Sequence, residues 1–257
     1  MTVSKLLFEL SGSTRFNMLQ ALASAPLAFT EMRKQVDMTS PEASRQIARL
    51  IEEDLIGKHA DGVYHITQFG RLVLSFLPGI DFVYENRSYF RTHDTTQIPH
   101  ELVMRLGDLT DATFLSGAID AMNHVQGRIR NVKEYHCAMV DAVMHPLVTP
   151  VTKNIRSGAT FRLIFPDAYK EEFFRVMDEY AVADECLRAM SIKTLPTVSI
   201  YTGVTDVGCW FKLPGFDGRI DHSVVVAGSS TSFSGWCRDL YAYYWEQASP
   251  VRGYIGR

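Results

Sequence analysis

Residues 39–66 read TSPEASRQIARLIEEDLIGKHADGVYHI, and this stretch decides how the N-terminal part of the chain is interpreted. Thr39 or Ser40 is a good N-cap, and Pro41 suits the first turn of a helix because its fixed φ is already helical. Thr39 and Glu42 also have the spacing of a capping box. The stretch therefore predicts a helix that begins near residue 41.

This helix runs from Pro41 to about Asp54 and carries one apolar stripe. Four residues recur at the spacing of a buried face: Ala43, Ile47, Leu50 and Ile51. At about 100° per residue, Arg45 and Arg49 lie nearly opposite that face, and Glu42 flanks them. Arginine can contact guanine with two hydrogen bonds and glutamate can accept one from cytosine, so the face suits the major groove of DNA. The alternative is an ordinary solvated face, since acidic residues follow along the helix.

A hairpin follows directly. Asp61-Gly62 separates two short β-type segments, 58–60 and 63–66, which predicts a two-residue turn. Thr67 then caps a helix that we expect to run from Gln68 to Leu77 and to end at Pro78-Gly79. Earlier apolar faces begin at Leu6 and Phe16, and a short helix ends at Val36. Helix, turn, helix and hairpin in this order predict a winged helix-turn-helix, an α+β domain.

Nine residues of this domain are the predicted DNA contacts: Arg33, Lys34, Ser40, Glu42, Ser44, Arg45, Arg49, Lys58 and His59. Residues 1–92 hold ten Lys and Arg against ten Asp and Glu. Because phosphate contacts dominate nonspecific affinity, one copy should bind DNA weakly, and a homodimer on paired half-sites would double the contacts.

Ile80, Val83, Tyr84 and Phe90 have helical spacing. They predict either a dimer helix or a segment that docks on the second domain.

The composition changes at residues 93–99, a polar stretch that ends in proline. We therefore expect a DNA-binding domain at 1–92 and a second domain at 93–257. Strand and helix patterns alternate in the second part, which predicts an α/β layered sandwich. The predicted strands are 134–140, 160–166, 192–195, 198–202, 209–213 and 223–227. The predicted helices are 147–157, 167–180, 184–190 and 233–247.

Ligands of open α/β sheets favour the crevice beyond the carboxyl ends of the strands. Asp141 and His145 follow the first predicted strand of the second domain, and Tyr201 and Thr202 end a later one. Trp210 can supply an apolar wall. These five residues are candidate contacts for a small-molecule effector. Their ordinary alternatives are a helix cap for Asp141, a surface turn for His145 and a core position for Trp210.

Four N-terminal segments carry a family resemblance: Leu6–Leu10, Arg15, residues 39–56 and Tyr64–Gly70. They are similar to archaeal winged-helix transcriptional regulators of the ArsR-like type. Six later segments carry a second resemblance: Ser88–Asp94, Ile98-Pro99, Arg105–Gly107, Phe211–Pro214, Asp217–Asp221 and Trp236–Tyr241. They are similar to the middle domain of archaeal methanogenesis regulators, which is fused to such a winged helix. The resemblance implies a regulator of metabolic genes, such as methanogenesis or one-carbon genes, whose second domain senses a metabolite or assists dimerisation.

More distantly, the second domain resembles the phospholipase-D-like fold that archaeal sugar-responsive regulators use for sensing. Active enzymes of that fold carry His-x-Lys-x4-Asp, in which the lysine stabilises phosphate charge. Here His222 is followed by Val224 where the lysine is needed and by Ser229 where the aspartate is needed. Without the cation, phosphate chemistry loses its electrostatic stabilisation. We therefore expect no enzyme, and interpret His222 as structural or as a sixth ligand contact.

Composition bounds the remaining possibilities. The 257 residues are 46% hydrophobic and 21% charged with a net charge of −3, as in a soluble globular protein. No apolar run approaches the roughly 20 residues of a membrane span, and the N-terminus lacks the pattern of a secretory signal, so we expect a cytoplasmic protein. The four cysteines lack Cys-x-x-Cys spacing and indicate free thiols, and the histidines lack zinc spacing, so no metal or cofactor is expected.

The sequence thus predicts a dimeric regulator that binds double-stranded DNA and an unknown small-molecule effector, with no membrane partner. Two alternatives stay open: a phospholipase-D-like phosphodiesterase, and an interaction module whose winged helix binds a protein.

Overall fold

The computed structural model describes residues 2–251. Contacts divide the chain into two units, Met1–Pro78 and Gly79–Arg257. The second unit begins earlier than the predicted start at residue 93, because Phe82 and Tyr89 are buried in its core. Each unit is described by itself below.

The first unit consists of helices around one small core. Its elements are α1 (Val3–Leu10), α2 (Ser13–Ser24), α3 (Phe29–Gln35), α4 (Ser40–Glu52), β1 (Ile56–Lys58), β2 (Tyr64–Ile66) and the first part of α5 (Gln68–Glu85). The core is formed by buried apolar residues of α2, α3, α4, the two strands and the adjoining loops: Met18, Leu19, Leu22, Met32, Met38, Ala43, Ile47, Leu50, Leu55, Ile56, Tyr64 and Ile66. Partly buried residues of α1 and α5 pack against it. Ile51 is exposed, so the predicted buried stripe of α4 is one residue too wide.

Two local predictions at α4 and the hairpin are wrong. Thr39 is the N-cap of α4, but its side chain accepts no hydrogen bond from the helix, so there is no capping box. The hairpin turn is longer than Asp61-Gly62: the Gly62 amide donates to the His59 carbonyl at 3.0 Å, and the His59 amide donates to the Val63 carbonyl at 2.8 Å. Only Gly62 has a positive φ there, +91°, whereas a two-residue Asp-Gly turn needs positive φ at both residues.

Helix α5 begins as predicted and ends later than predicted. The Thr67 hydroxyl oxygen accepts from the Gly70 amide at 2.9 Å, which confirms the cap. The helix then continues through Pro78 to Glu85, so the predicted end at Leu77 is wrong. Proline removes one helical hydrogen bond. Burial of Phe82 on the next turn stabilises the continuation.

The second unit is built on an eight-stranded sheet. Its helices are α6 (Arg87–Phe90), α7 (His100–Val103), α8 (Ala118–Arg130), α9 (His145–Arg156), α10 (Lys170–Glu179), α11 (Asp184–Ala189) and α12 (Thr231–Gln247). Its strands are β3 (Thr113–Ser116), β4 (Tyr135–Met139), β5 (Thr160–Pro166), β6 (Met190–Leu195), β7 (Tyr201–Thr205), β8 (Gly208–Lys212), β9 (Val224–Gly228) and β10 (Ser249–Pro250). The spatial order is β10-β6-β5-β4-β7-β8-β9-β3.

The sheet is mixed, and its two faces bury two separate cores. Strands β4, β5 and β6 are parallel, and the other pairs are antiparallel. Alternate side chains of the strands point to opposite faces. One face packs with α12 and α7, and the other with α8, α9, α10 and α11. The prediction of mixed helix and strand around a large sheet is confirmed.

Most predicted elements of this unit are found, although the short α7 and β10 were not predicted, and three further differences follow. Strand β7 begins at Tyr201, so the prediction of 198–202 is placed too early. The strand β3 and helix α8 were not predicted. Helix α8 has a clear signal in hindsight, because Ala121, Val125 and Ile129 recur every four residues and are buried. Strand β3 has four residues at the sheet edge, too few for a pattern.

Candidate functional site

Helix α4 presents an exposed face of short side chains around one arginine. Ser40, Ser44 and Arg45 are exposed, while Glu42 is half-buried. No hydrogen bond or ion pair of the described residues engages the Arg45 guanidinium. The absence of a side-chain cap leaves the first amides of the helix available to an acceptor. An uncapped helix start beside a free arginine suits contact with phosphate and base edges.

Arg49 does not belong to that face, although it was predicted there. Its Nη2 and Nε donate to the Glu9 carboxylate at 2.6 and 3.0 Å, and its guanidinium lies 5.2 Å from the centre of the Phe8 ring. This hydrogen bonding to the Glu9 carboxylate raises the pKa of Arg49. Arg15 also binds Glu9, at 3.0 Å. Arg49 therefore links α4 to α1 and is not free to reach a base. The spacing of residues within α4 does not indicate that Glu9 is its partner.

The other predicted DNA contacts lie on α3 and the hairpin. Arg33 is half-buried and donates to the Met38 carbonyl at 3.4 Å, whereas Lys34 is exposed. Lys58 is exposed, with its ammonium 5.1 Å from the centre of the Tyr64 ring. His59 is exposed and stacks on His65, with ring centres 3.9 Å apart.

In the second unit, four side chains meet where strands end or begin. Asp141 follows β4, Tyr201 begins β7, Lys212 ends β8 and His222 precedes β9. The His222 Nε2 lies 3.0 Å from the Asp141 Oδ2, and its Nδ1 lies 3.4 Å from the Lys212 Nζ. The Lys212 ammonium is 5.2 Å from the centre of the Tyr201 ring. We call these four residues the Lys212 cluster.

Lys212 is the member that the sequence reasoning missed. It is buried, and the atoms within hydrogen-bond reach of its ammonium are the Nδ1 and the carbonyl of His222, both at 3.4 Å. Burial lowers the pKa of Lys212, and the charge of Asp141 opposes that shift. The sequence feature that could have identified Lys212 is its position as a single charged residue at the end of an apolar strand. Buried lysines without a close carboxylate are rare, and they point to a site.

An apolar cavity of about 80 Å³ lies on the face of the sheet that α9 and α10 cover. Tyr201, Thr202 and Trp210 line it, as does His136, which was not predicted. The Thr202 hydroxyl is occupied, because it donates to the Trp210 carbonyl at 2.9 Å. Burial raises the pKa of Tyr201, the charge of Asp141 raises it further, and the neighbouring indole of Trp210 partly offsets the rise.

The six predicted ligand residues thus fall into three places. Asp141, Tyr201 and His222 come together in the Lys212 cluster. Thr202 and Trp210 lie with Tyr201 at the cavity. His145 is separate: it is exposed at the start of α9, with its ring centre 5.7 Å from that of Tyr180.

Residues 2–251 contain no group of three or more His, Cys, Asp and Glu side chains arranged to hold a metal ion. Within the same residues, no helix has the length and hydropathy to cross a membrane. The four cysteines are free, as predicted, and Cys186, Cys209 and Cys237 are buried.

Comparisons with known proteins match the N-terminal segment to one family model. Residues 5–80 match the model described as the HVO_A0261 N-terminal domain. No curated protein matches the chain.

Solved structures give distant likenesses only. TrmBL2, described as an archaeal chromatin protein with a novel mode of DNA binding, is 11% identical with a TM-score of 0.45, over 97% of this chain and 100% of that one. Nuc, a phospholipase D family member from Salmonella typhimurium, is 13% identical with a TM-score of 0.42, over 55% of this chain and 99% of that one. NucT from Helicobacter pylori is 9% identical with a TM-score of 0.43, over 55% and 98%. Likenesses this weak do not identify an activity.

Proposed function

We propose that this protein is a winged-helix transcription regulator that binds double-stranded DNA and senses a small-molecule effector through its second unit. The observation that carries the proposal is the exposed face of α4, where an uncapped helix start adjoins Ser44 and an unpaired Arg45. Three helices followed at once by a two-stranded hairpin are the order of a winged helix.

The charges of the first unit favour action as a homodimer. Exposed cations near α4 that are not paired with a carboxylate are few: Lys34 on α3, Arg45 on α4 and Lys58 on the hairpin. Each phosphate contact adds about one unit to the salt dependence of binding, so a single copy has a small electrostatic contribution. Two copies on paired half-sites double that contribution.

Helix α5 offers a face for this self-association. Six of its large apolar side chains are exposed: Phe69, Leu72, Phe76, Ile80, Val83 and Tyr84. Their spacing of three and four residues forms one stripe along a helix and suits pairing with a second copy of the same helix. The sequence left two roles open for Ile80, Val83 and Tyr84, a dimer helix or a segment that docks on the second domain, and we propose the first.

We infer binding rather than catalysis at the Lys212 cluster. Lys212 does place a cation beside His222, which the sequence motif alone does not provide. However, both ring nitrogens of His222 are engaged, one by Asp141 and one by Lys212, so neither is free to attack phosphorus. The cluster instead suits a polar effector group.

Fluorescence anisotropy of labelled genomic DNA fragments tests the proposal. Arg45→Ala should weaken specific binding by ~1–3 kcal/mol, or roughly 5- to 150-fold, and relax sequence discrimination. Lys34→Ala should weaken binding to all fragments equally and reduce the salt slope by about one unit. Arg188→Ala, an exposed arginine of α11, is the matched control and should change nothing. Unchanged discrimination in Arg45→Ala would contradict the assigned interface, and binding that is independent of salt would favour a protein partner instead.

A further inference from the structure

We propose that the cavity beside His136 and Trp210 binds a small neutral molecule that is apolar except for one hydroxyl group. The proposed function rests on an effector, and this inference names its chemical class and the place where it binds. Binding itself can be measured without DNA.

Two polar groups in the wall of the cavity lack partners. His136 is 4% exposed and Trp210 is 1% exposed. Neither ring nitrogen of His136 has a hydrogen-bond partner within residues 2–251, and the indole N–H of Trp210 has only the Tyr201 hydroxyl beside it, without a well-aligned hydrogen bond. Nearly all buried polar groups in proteins are hydrogen-bonded, so unpaired ones on a cavity wall point to a bound partner. The Tyr201 hydroxyl lies beside the indole but is directed to the Met144 sulfur, at 3.8 Å.

The protonation state of His136 defines what it can bind. Its burial lowers its pKa to about 4, so the imidazole is neutral at physiological pH. A neutral imidazole has one donor and one acceptor nitrogen, and an indole only donates. A hydroxyl oxygen can accept from Trp210 while its proton is donated to His136. The ring centres of His136 and Trp210 are 5.9 Å apart, so the two rings are close enough for one hydroxyl group to lie between them.

The rest of the wall excludes a charged ligand. The lining contains no Asp, Glu, Lys or Arg, and most of it is aliphatic, aromatic or methionine. A carboxylate or ammonium group would lose its hydration here without gaining an ion pair. The ligand must therefore be neutral, which separates this cavity from the charged Lys212 cluster.

Size and access limit the ligand further. At about 80 Å³, the cavity has roughly half the volume of the ~150 Å³ cavity known to admit benzene. Met144, Met177 and Met190 border it, and methionine side chains adjust readily to the shape of a ligand. Val140 and residues 142–144 are half-buried and border the cavity, so they provide the route of entry. These limits fit a short-chain or small-ring alcohol.

The test is a titration of the full-length ¹⁵N-labelled protein with cyclopentanol, observed at the indole N–H signals. The signal of Trp210, assigned from its absence in Trp210→Phe, should move downfield and saturate at millimolar cyclopentanol. Trp236 is an internal control, because its indole already donates to the Leu102 carbonyl at 2.9 Å, and its signal should stay in place. A Trp210 signal that does not move, as with water alone in the cavity, would overturn the inference.

A charged analogue of the ligand and variants of His136 test whether binding at the cavity is specific. Cyclopentylammonium should bind at least tenfold more weakly than cyclopentanol, and equal shifts with both would contradict a neutral site. His136→Phe should weaken cyclopentanol binding at least tenfold, and His136→Gln should restore part of it. If His136→Phe fails to fold, the cyclopentanol and cyclopentylammonium titrations of the wild-type protein still show whether the cavity binds a neutral alcohol.

The outcome is independent of the DNA-binding proposal. If the Trp210 signal shifts and saturates but the protein binds no DNA, the proposed ligand site stands and the proposed regulatory function is rejected. If the protein binds DNA in a salt-dependent way but the Trp210 signal does not shift, the proposed regulatory function stands and the proposed alcohol ligand is rejected.

Discussion

Replacing Gly203 by alanine is expected to destabilise the protein and close the cavity. Gly203 lies on β7 directly opposite Trp210 on β8. A Cβ at this position would stand 2.1 Å from the Cζ2 and 2.3 Å from the Cε2 of the indole. Carbon atoms pack at about 3.5–4.0 Å, so the ring must move by more than an ångström. The free space beside the buried ring is the cavity.

The size of the effect follows from this overlap. Overpacking a full core costs ~1–3 kcal/mol. For a domain of this size, each kcal/mol lowers Tm by about 2–4 °C, so Gly203→Ala should melt roughly 2–12 °C below the wild type. An indole displaced into the cavity also occupies the volume of the ligand, and the shift of the Trp210 signal with cyclopentanol should disappear.

Gly127 provides a matched control. It lies inside α8, and a Cβ there would meet no atom within 4 Å. Gly127→Ala should therefore stabilise the protein by about 0.5–1 kcal/mol, because alanine favours the helix. Calorimetry of both variants, with the cyclopentanol titration, tests the reasoning. A Gly203→Ala protein that melts at or above the wild-type temperature and still binds cyclopentanol would refute it.

Two further substitutions test the second unit. Lys212→Met should raise Tm, because it removes a buried charge. Since burial lowers the pKa of Lys212, the unfolded chain holds that proton more tightly, and wild-type stability should rise with pH from the lowered value towards 10.5. In urea titrations across that range Lys212→Met should lack the rise, and an identical pH slope in both proteins would contradict the assignment. Trp236→Phe should lose about 1–3 kcal/mol, because the Leu102 carbonyl loses its indole donor at 2.9 Å; denaturation equal to that of the wild type would show that the bond contributes nothing.

Local sequence patterns predicted the elements with strong periodicity. The stripe of Ala43, Ile47 and Leu50 placed α4, and the strand predicted at 160–166 is β5. Patterns failed where tertiary contacts decide the outcome. Proline usually ends a helix because it lacks a backbone N–H, but α5 continues past Pro78, since Phe82 on the next turn is buried.

The candidate sites were predicted in part, for the same reason. The position of Asp141 after a strand was predicted correctly, because ligand sites favour such strand ends. Tyr201 was expected to end a strand but begins β7, and the fold places it and His222 beside Asp141. The pairing of Arg49 with Glu9 joins residues forty positions apart, and nothing in α4 indicates it. His136 is inconspicuous in the sequence. It is notable only because the fold buries both of its nitrogens without partners.

The central claim is that the exposed face of α4 reads double-stranded DNA. Selection of genomic fragments by the purified protein, followed by footprinting of the best fragment, tests it most directly. We predict a protected inverted repeat whose half-sites lie about one helical turn apart, with affinity that falls steeply between 50 and 200 mM salt. No enrichment over random DNA at any salt concentration, with or without cyclopentanol, would contradict it.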